Sequence, residues 1–412
     1  MDKGSTSHLN TLKMSTNGGI LGLDLEERSN LVELDRQLHA HWSLGRNFIL
    51  GWCPHDQGVL LLVVPHYAVA SYALPDESGA SDPGSPSQTF IMDLLSRRRQ
   101  IDHRRLENAA KLFHVDPTYI PLRKPLSNGQ TDLDFIEQLV RRYSINYIPN
   151  RAVALFDIVG FSLLTPFEQM TQLNSLSYSL NSAHHKMVGT NIDVNFARSS
   201  TGDGFYIWNR DNGMQANSNL YHLMHLVMAD NAIARRRAKG RTVPLLRTCF
   251  HVGGCYEFHQ AEGLNPTIRS DIVGDVTIEL ARMIEQALPG QIFVGEFETL
   301  MLETGSSDEV LVDSIRFVDI AQKDLSELSG LELSGEAIDS IKCYLTGQQQ
   351  DSGRYSIRKL SITDKHGLTR NVFNAKINIY RRDAEPILLG IEDKMLSDGS
   401  LDMKTVTQII QD

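Results

Sequence analysis

No run of apolar residues in this 412-residue chain reaches the roughly 20 that a membrane-spanning helix needs. The most apolar stretch, "GVLLLVVPHYAVASYAL" (Gly58–Leu74), is broken by Pro65 and His66. It predicts two buried strands, or a strand and a short helix, and no direct membrane contact. A charged-then-apolar leader is also missing. Residues 1–19 are polar and Ser/Thr-rich, which predicts a disordered N-terminus. Cysteine is scarce: Cys53, Cys249, Cys255 and Cys343 are too scattered for a zinc site built from paired ligands. Free thiols and no secretory signal point to the reducing cytoplasm. Positive charge is not in excess either. With 40 Lys+Arg against 50 Asp+Glu the formal net charge is −10, which argues against a dedicated nucleic-acid surface.

What is present divides along the chain. Residues 20–74 form a small N-terminal region of unknown fold, and 75–88 ("PDESGASDPGSPSQ") an acidic Pro/Gly/Ser-rich linker. Residues 89–148 have helical spacing and predict a helical connector. Its Arg97-Arg98-Arg99 and Arg104-Arg105 predict a solvated helix face, since acids lie nearby. From 149 to 390 the signals alternate. A strand is expected at Val153–Ile158, then a helix to about His185 opened by Thr165 as N-cap, Pro166 and Glu168. Strands are expected at Ile192–Phe196 and Phe205–Trp208, and a helix at Leu220–Lys239 whose Arg235, Arg236, Arg237 and Lys239 suit its negative end. A strand at Val243–Val252, a helix at Thr277–Ala287 and a strand in "PGQIFVG" (Pro289–Gly295) follow. Residues 301–345 read as an insertion, Tyr355–Tyr380 as one or two hairpins, and 391–412 as a C-terminal helix. The order predicts an α+β fold, a mostly antiparallel sheet with helices on it.

Two acids carry the chemistry. Asp157, in "ALFDIVGFSLLTPFEQ", ends an apolar strand just before a Gly-containing loop and a helix start. Loop amides and a helix N-terminus suit phosphate oxygens, while the acid suits the counter-cation. Asp203 sits in "RSSTGDGFYIWN" at a hairpin tip, where Asn-Gly would turn the chain equally well. Either aspartate alone has a plain structural use, as a cap or a turn residue. Brought together on neighbouring strands they would repel, unless hard divalent cations such as Mg²⁺ or Mn²⁺ lie between them.

"FDIVGFS", "GDGF" and "DIVGDVTIELARMIEQALPGQIFVG" (Asp271–Gly295), in that order, resemble the class III nucleotidyl cyclases. The resemblance implies a ferredoxin-like domain and a head-to-tail homodimer with shared active sites. It implies two Mn²⁺ or Mg²⁺ ions per site, held by Asp157, Asp203 and the Ile158 carbonyl. Phosphates would be cradled by Val159, Gly160, Phe161 and Ser162 beside Phe156, with Arg282 stabilising transition-state charge and Lys365 as a late phosphate lysine. Asp271 matches a base-contacting acid. The base-contacting lysine position holds Ser199, and the ribose-orienting asparagine position holds Ile278, with Asp275 and Thr277 nearby. In these departures the chain is most similar to the bacterial pyrimidine cyclases of Pycsar anti-phage systems. That implies conversion of UTP to 3′,5′-cyclic UMP, read by a downstream effector. Cytidylate cyclase, then adenylate cyclase, then an inactive nucleotide-sensing domain are the alternatives.

Overall fold

The computed structural model describes residues 25–73, 86–123, 130–192, 194–261, 268–306, 308–349, 355–365, 367–396 and 404–410. The expected disordered N-terminus (1–19) and most of the expected linker (75–85) lie outside them. The chain forms two compact units, Met1–Ile148 with Tyr256–Ile272, and Pro149–Cys255 with Val273–Asp412.

In the first unit α1 (Leu25–Trp42) precedes β1 (Asn47–His55), β2 (Gly58–Pro65), α2 (His66–Ala73), α3 (Pro86–Ser96), α4 (His103–Phe113), β3 (Thr118–Pro121) and α5 (Gln130–Arg141). The apolar stretch at Gly58–Leu74 is thus a strand and a short helix, and no helix among the described residues is long and apolar enough to cross a membrane. β1, β2 and β3 make an antiparallel sheet. One set of core residues joins Leu34 and Leu38 of α1 with Trp52, Leu61, Phe135 and Leu139. The 89–148 segment is therefore part of this unit's core rather than a connector. Its arginines lie on a solvated face beside acids as expected, with Arg99 the exception. Arg97 and Arg105 pair with Asp93, and Arg98 with Asp134. Arg99 is fully buried and donates to the carbonyls of Leu95 (2.6 Å) and Arg97 (2.9 Å).

The second unit begins with β4 (Asn146–Ile158), whose continuous apolar run is buried on both faces over Ala152–Ile158. Next come α6 (Pro166–Gly189), β5 (Phe196–Ser200), β6 (Gly204–Asn209), α7 (Met214–Arg237) and β7 (Leu246–Ala261). The helix start is as the sequence predicts. Thr165 caps α6, the Thr165–Glu168 capping box closes, and Pro166 occupies the first turn. The expected strand at Ile192–Phe196 forms instead at Phe196–Ser200, with Ile192 and Val194 as buried lead-in residues. These elements run strand–helix–strand–strand–helix–strand, and the strands lie side by side in the order β7-β4-β6-β5. That is the ferredoxin-like arrangement, with β6 antiparallel to both β4 and β5.

After β8 (Ile268–Val273), which pairs with β7, α8 (Asp275–Gln286) leads to β9 (Ile292–Gly295), parallel to β7. The expected insertion at 301–345 holds most of the β10 (Glu298–Leu302) and β11 (Glu309–Asp313) hairpin, α9 (Ser314–Asp324), β12 (Glu332–Leu333) and β13 (Glu336–Leu345). It does packing work: Phe317, Leu325 and Leu328 share a core with Leu220 and Met224 of α7. β14 (Ser356–Thr363) and β15 (Thr369–Arg381) give one hairpin over the expected Tyr355–Tyr380 stretch, and β16 (Ala384–Leu389), beyond it, pairs with β15 in a second. The C-terminal helix expected at 391–412 is not what forms. Among the described residues of this stretch only α10 (Asp393–Leu396) is helical, and β17 (Lys404–Ile410) pairs with β14. "KTVTQII" is rich in β-branched residues, and an open strand edge outweighed its weak helical periodicity.

Candidate active site

The Asp157 and Asp203 backbones meet at one end of the ferredoxin-like core. Asp157 is directly opposite Gly204 across β4 and β6, and the Ile158 amide donates to the Asp203 carbonyl at 3.0 Å. The Gly-Asp-Gly tip explains itself in this geometry. Gly202 has φ 97°, where only glycine is unstrained. At Gly204 a Cβ would lie 1.9 Å from the Phe156 carbonyl oxygen, so only glycine lets the two strands close. Asp203, between them, needs neither conformation and is free to be a functional acid. Its Oδ1 accepts from the Thr201 hydroxyl at 3.2 Å.

Strand alternation assigns the faces. Phe156 pairs with Phe205, is fully buried, and joins Leu176 and Leu180 of α6 in the core. Its side chain therefore faces the helices, away from the face that carries Asp157. Asp157 and Leu155 project from the other face, as do Tyr206, paired with Leu155, and Ser199, paired with Tyr206. The Tyr206 hydroxyl donates to the Thr277 carbonyl at 3.1 Å, so the first turn of α8 covers this face.

A residue that the sequence did not reveal completes the cluster. Arg247, near the start of β7, meets the Asp157 Oδ2 through Nε at 2.7 Å and Nη2 at 2.6 Å. The strand order puts β7 beside β4, which no local pattern in "PLLRTCFHV" announces. The Asp157 carboxyl is raised above its usual range. Burial contributes most, the Asp203 charge adds to it, and Arg247 opposes both. A carboxyl raised by burial and by a neighbouring acid, with one guanidinium paired to it, is a place where further positive charge would be accepted. Further along the same face of β7, Cys249 and His251 are buried. Burial lowers His251 to about 4, and its Nδ1 has no hydrogen-bond partner among the described residues.

The loop after Asp157 is only partly available to a ligand. The Val159 amide already donates to the Leu245 carbonyl at 2.9 Å, so Val159 is removed from the expected amide cradle. Gly160 (φ 69°) is the N-cap of a short 3-10 helix, and Phe161 and Ser162 open it. These positions have N–H groups without an intrahelical acceptor. The Phe161 side chain packs against the core.

Arg282 and Lys365 belong to a second cluster, between α8 and the β14–β15 turn. Arg282 Nε is 3.4 Å from Asp364 Oδ2, and Lys365 is 3.0 Å from Glu285. Asp271 lies on β8 and is counted with the first unit; its Oδ1 accepts from the Ile272 amide at 3.0 Å. Among the described residues no three His, Cys, Asp or Glu side chains gather closely enough to enclose a metal ion. Two carboxylates and a carbonyl leave most of a hexacoordinate shell to water and phosphate. That suits Mg²⁺ or Mn²⁺ carried with a nucleotide rather than a caged structural ion.

No protein-family model matches the chain, and no curated protein matches it. Solved structures with some similarity include the guanylate cyclase domain of RhGC from Catenaria anguillulae in complex with GTP. That match has 10% identity and TM-score 0.32, covering 58% of this chain and 100% of that one. The guanylyl cyclase Cya2 has 14% identity and TM-score 0.28, over 41% and 91%. The adenylyl cyclase CyaB from P. aeruginosa has 12% identity and TM-score 0.30, over 59% and 97%. The ferredoxin-like assignment rests on the strand order and not on these overlaps.

Proposed function

We propose that this protein is a metal-dependent nucleotidyl cyclase, acting on a pyrimidine nucleoside triphosphate with UTP favoured over CTP. One observation carries the reading: Asp157 ends β4 and Asp203, 46 positions on, sits in the adjoining β5–β6 turn with its carbonyl bonded to the Ile158 amide, beside Arg247 and a short helix N-terminus. Divalent cations, when bound, would supply Lewis acidity toward the ribose 3′-hydroxyl and the phosphate oxygens. Asp157, Asp203 and the Ile158 carbonyl would hold them. Arg247, paired with Asp157 here, would be available to a phosphate oxygen where Asp157 holds a cation. The amides of Gly160, Phe161 and Ser162 take up further phosphate charge. The 3′-hydroxyl gives its proton to water, its oxygen bonds to the α-phosphorus, the bond from that phosphorus to the bridging oxygen breaks, and pyrophosphate leaves. Arg282, from a second copy of the chain, would neutralise charge building on the phosphate.

Ser199 supports the pyrimidine assignment. On the face shared with Asp157, a short hydroxyl stands where purine-reading cyclases place a lysine, so nothing long donates to a purine ring nitrogen. Asp271 accepts equally from uracil N3–H and the cytosine amine. The product is a second messenger for a cyclic-nucleotide-responsive effector, in keeping with the resemblance to anti-phage cyclases.

Incubation with Mn²⁺ and each of the four ribonucleoside triphosphates, with products identified by mass spectrometry, tests this. A 3′,5′-cyclic pyrimidine nucleotide is expected. Turnover of ATP alone would overturn the pyrimidine assignment and keep the cyclase. Mixing Asp203→Ala with Arg282→Ala chains should restore activity that neither has alone; no rescue contradicts shared sites.

A further inference from the structure

The carboxylate of Asp364 is enclosed far beyond what its turn requires. Its side chain is 2% exposed and sits between β14 and β15. Oδ1 accepts the Leu368 amide at 2.9 Å, which with the return bond from the Asp364 amide to the Leu368 carbonyl (3.0 Å) closes the turn. Oδ2 faces two guanidinium groups: Arg370 Nη1 at 2.9 Å and Arg282 Nε at 3.4 Å. Arg370 also pairs through Nε with Glu279, one helical turn before Arg282 on α8. The hairpin thus grips α8 at two successive turns.

Burying a carboxylate is costly unless its lone pairs are filled, and breaking such a group by removing one partner is costlier still. A turn alone does not call for that outlay, because the Leu368 amide already satisfies it. What the extra contacts achieve is orientation. Arg282 is approached at Nε, the inner corner of its fork, while Nη1 and Nη2 have no acceptor among the described residues. The side chain is 30% exposed. A guanidinium held from behind presents a fixed pair of donors in front.

We propose that Asp364, braced by Arg370, is a positioning residue that fixes the Arg282 fork for the phosphate of a nucleotide bound by another copy of the chain. The inference rests on the role given to Arg282 above. The β14–β15 hairpin then serves the site without touching substrate through Asp364. Its Lys365, paired with Glu285 at the surface, moves as part of the same block.

The test compares Asp364→Asn, Arg282→Ala and the double variant by steady-state kinetics on the full chain, with thermal melts to keep assays below unfolding. Asp364→Asn should lower kcat by about 100-fold, the loss that follows a misplacement on the order of 1 Å. KM should stay nearly unchanged, and the substitution should add nothing to Arg282→Ala. If Asp364→Asn does not fold, Arg370→Gln loosens the same carboxylate and should show the same kcat-selective loss. An Asp364→Asn enzyme with wild-type kcat, beside an inactive Arg282→Ala enzyme, overturns the positioning role alone. Full additivity of the two substitutions overturns it as well. Wild-type kcat in Arg282→Ala overturns the role of Arg282 and the clamp together.

Discussion

Gly204→Ala should separate the two aspartates without touching either. In the folded chain the added Cβ would lie 1.9 Å from the Phe156 carbonyl oxygen and 2.9 Å from its carbon. Close C···O contacts between strands settle at about 3.3–3.6 Å, so β6 must part from β4 by roughly 1.5 Å at the residue facing Asp157. That shift breaks the bond that ties the Asp203 carbonyl to the Ile158 amide. Overpacking of this kind costs about 1–3 kcal/mol, and a domain of this size loses roughly 2–4 °C of Tm per kcal/mol. Mn²⁺ affinity should fall about 10–100-fold, as when a group that orients a metal ligand is lost, and turnover about 100-fold. Gly202→Ala is the control. Its φ of 97° makes alanine strained, but a Cβ there meets nothing within 4 Å. It should cost about 1–2 kcal/mol of stability and leave Mn²⁺ affinity intact. Calorimetric titration with Mn²⁺ beside thermal melts reads both quantities. Wild-type Mn²⁺ affinity in Gly204→Ala would refute the idea that strand closure at Gly204 assembles the site.

Other perturbations follow from the same geometry. His222 and His251 are both lowered to about 4 by burial. The unfolded chain therefore takes up protons that the native one refuses as pH drops below the ordinary histidine value. Stability should be full above about pH 6.5 and fall by about 2 kcal/mol per histidine between pH 8 and pH 5. Urea unfolding at the two pH values checks this, and equal midpoints contradict it. Asp157→Asn removes a carboxyl that burial and Asp203 both disfavour. Its Tm in EDTA should equal or exceed wild type, while the Mn²⁺-induced rise disappears. In wild type that rise corresponds to about 2.7 kcal/mol of stabilisation at a hundredfold excess over Kd. Arg247→Met takes away both the group that holds the Asp157 carboxyl down and the cation that competes with Mn²⁺ for it, so Mn²⁺ binding should gain at pH 8 and gain less, or lose, as pH falls. A change uniform across pH would contradict that coupling.

How much of this was visible in the sequence depends on how local each signal is. The capping box of Thr165 and Glu168 is a four-residue pattern with its own chemistry, and it formed as read. The paired aspartates were legible because each is odd for its setting, an acid ending an apolar strand and an acid between two glycines. The face that Phe156 takes was not legible because β4 is apolar on both faces, so alternation gives no sign of which side a residue takes. The β5 strand was misplaced by four residues because Ile192, Val194 and Phe196 alternate like a strand, while pairing with β6 across the Gly202 turn decides the register. Arg247 and Asp364 were invisible for a third reason. Their meaning arises only when β7 is set beside β4 and the last hairpin beside α8.

Mn²⁺ electron paramagnetic resonance in the presence of 3′-deoxy-UTP, which cannot cyclise, addresses the central claim most directly. A pair of ions per chain is predicted, reduced by Asp157→Ala or Asp203→Ala and abolished by both together. Unchanged Mn²⁺ binding in the double variant would contradict the account.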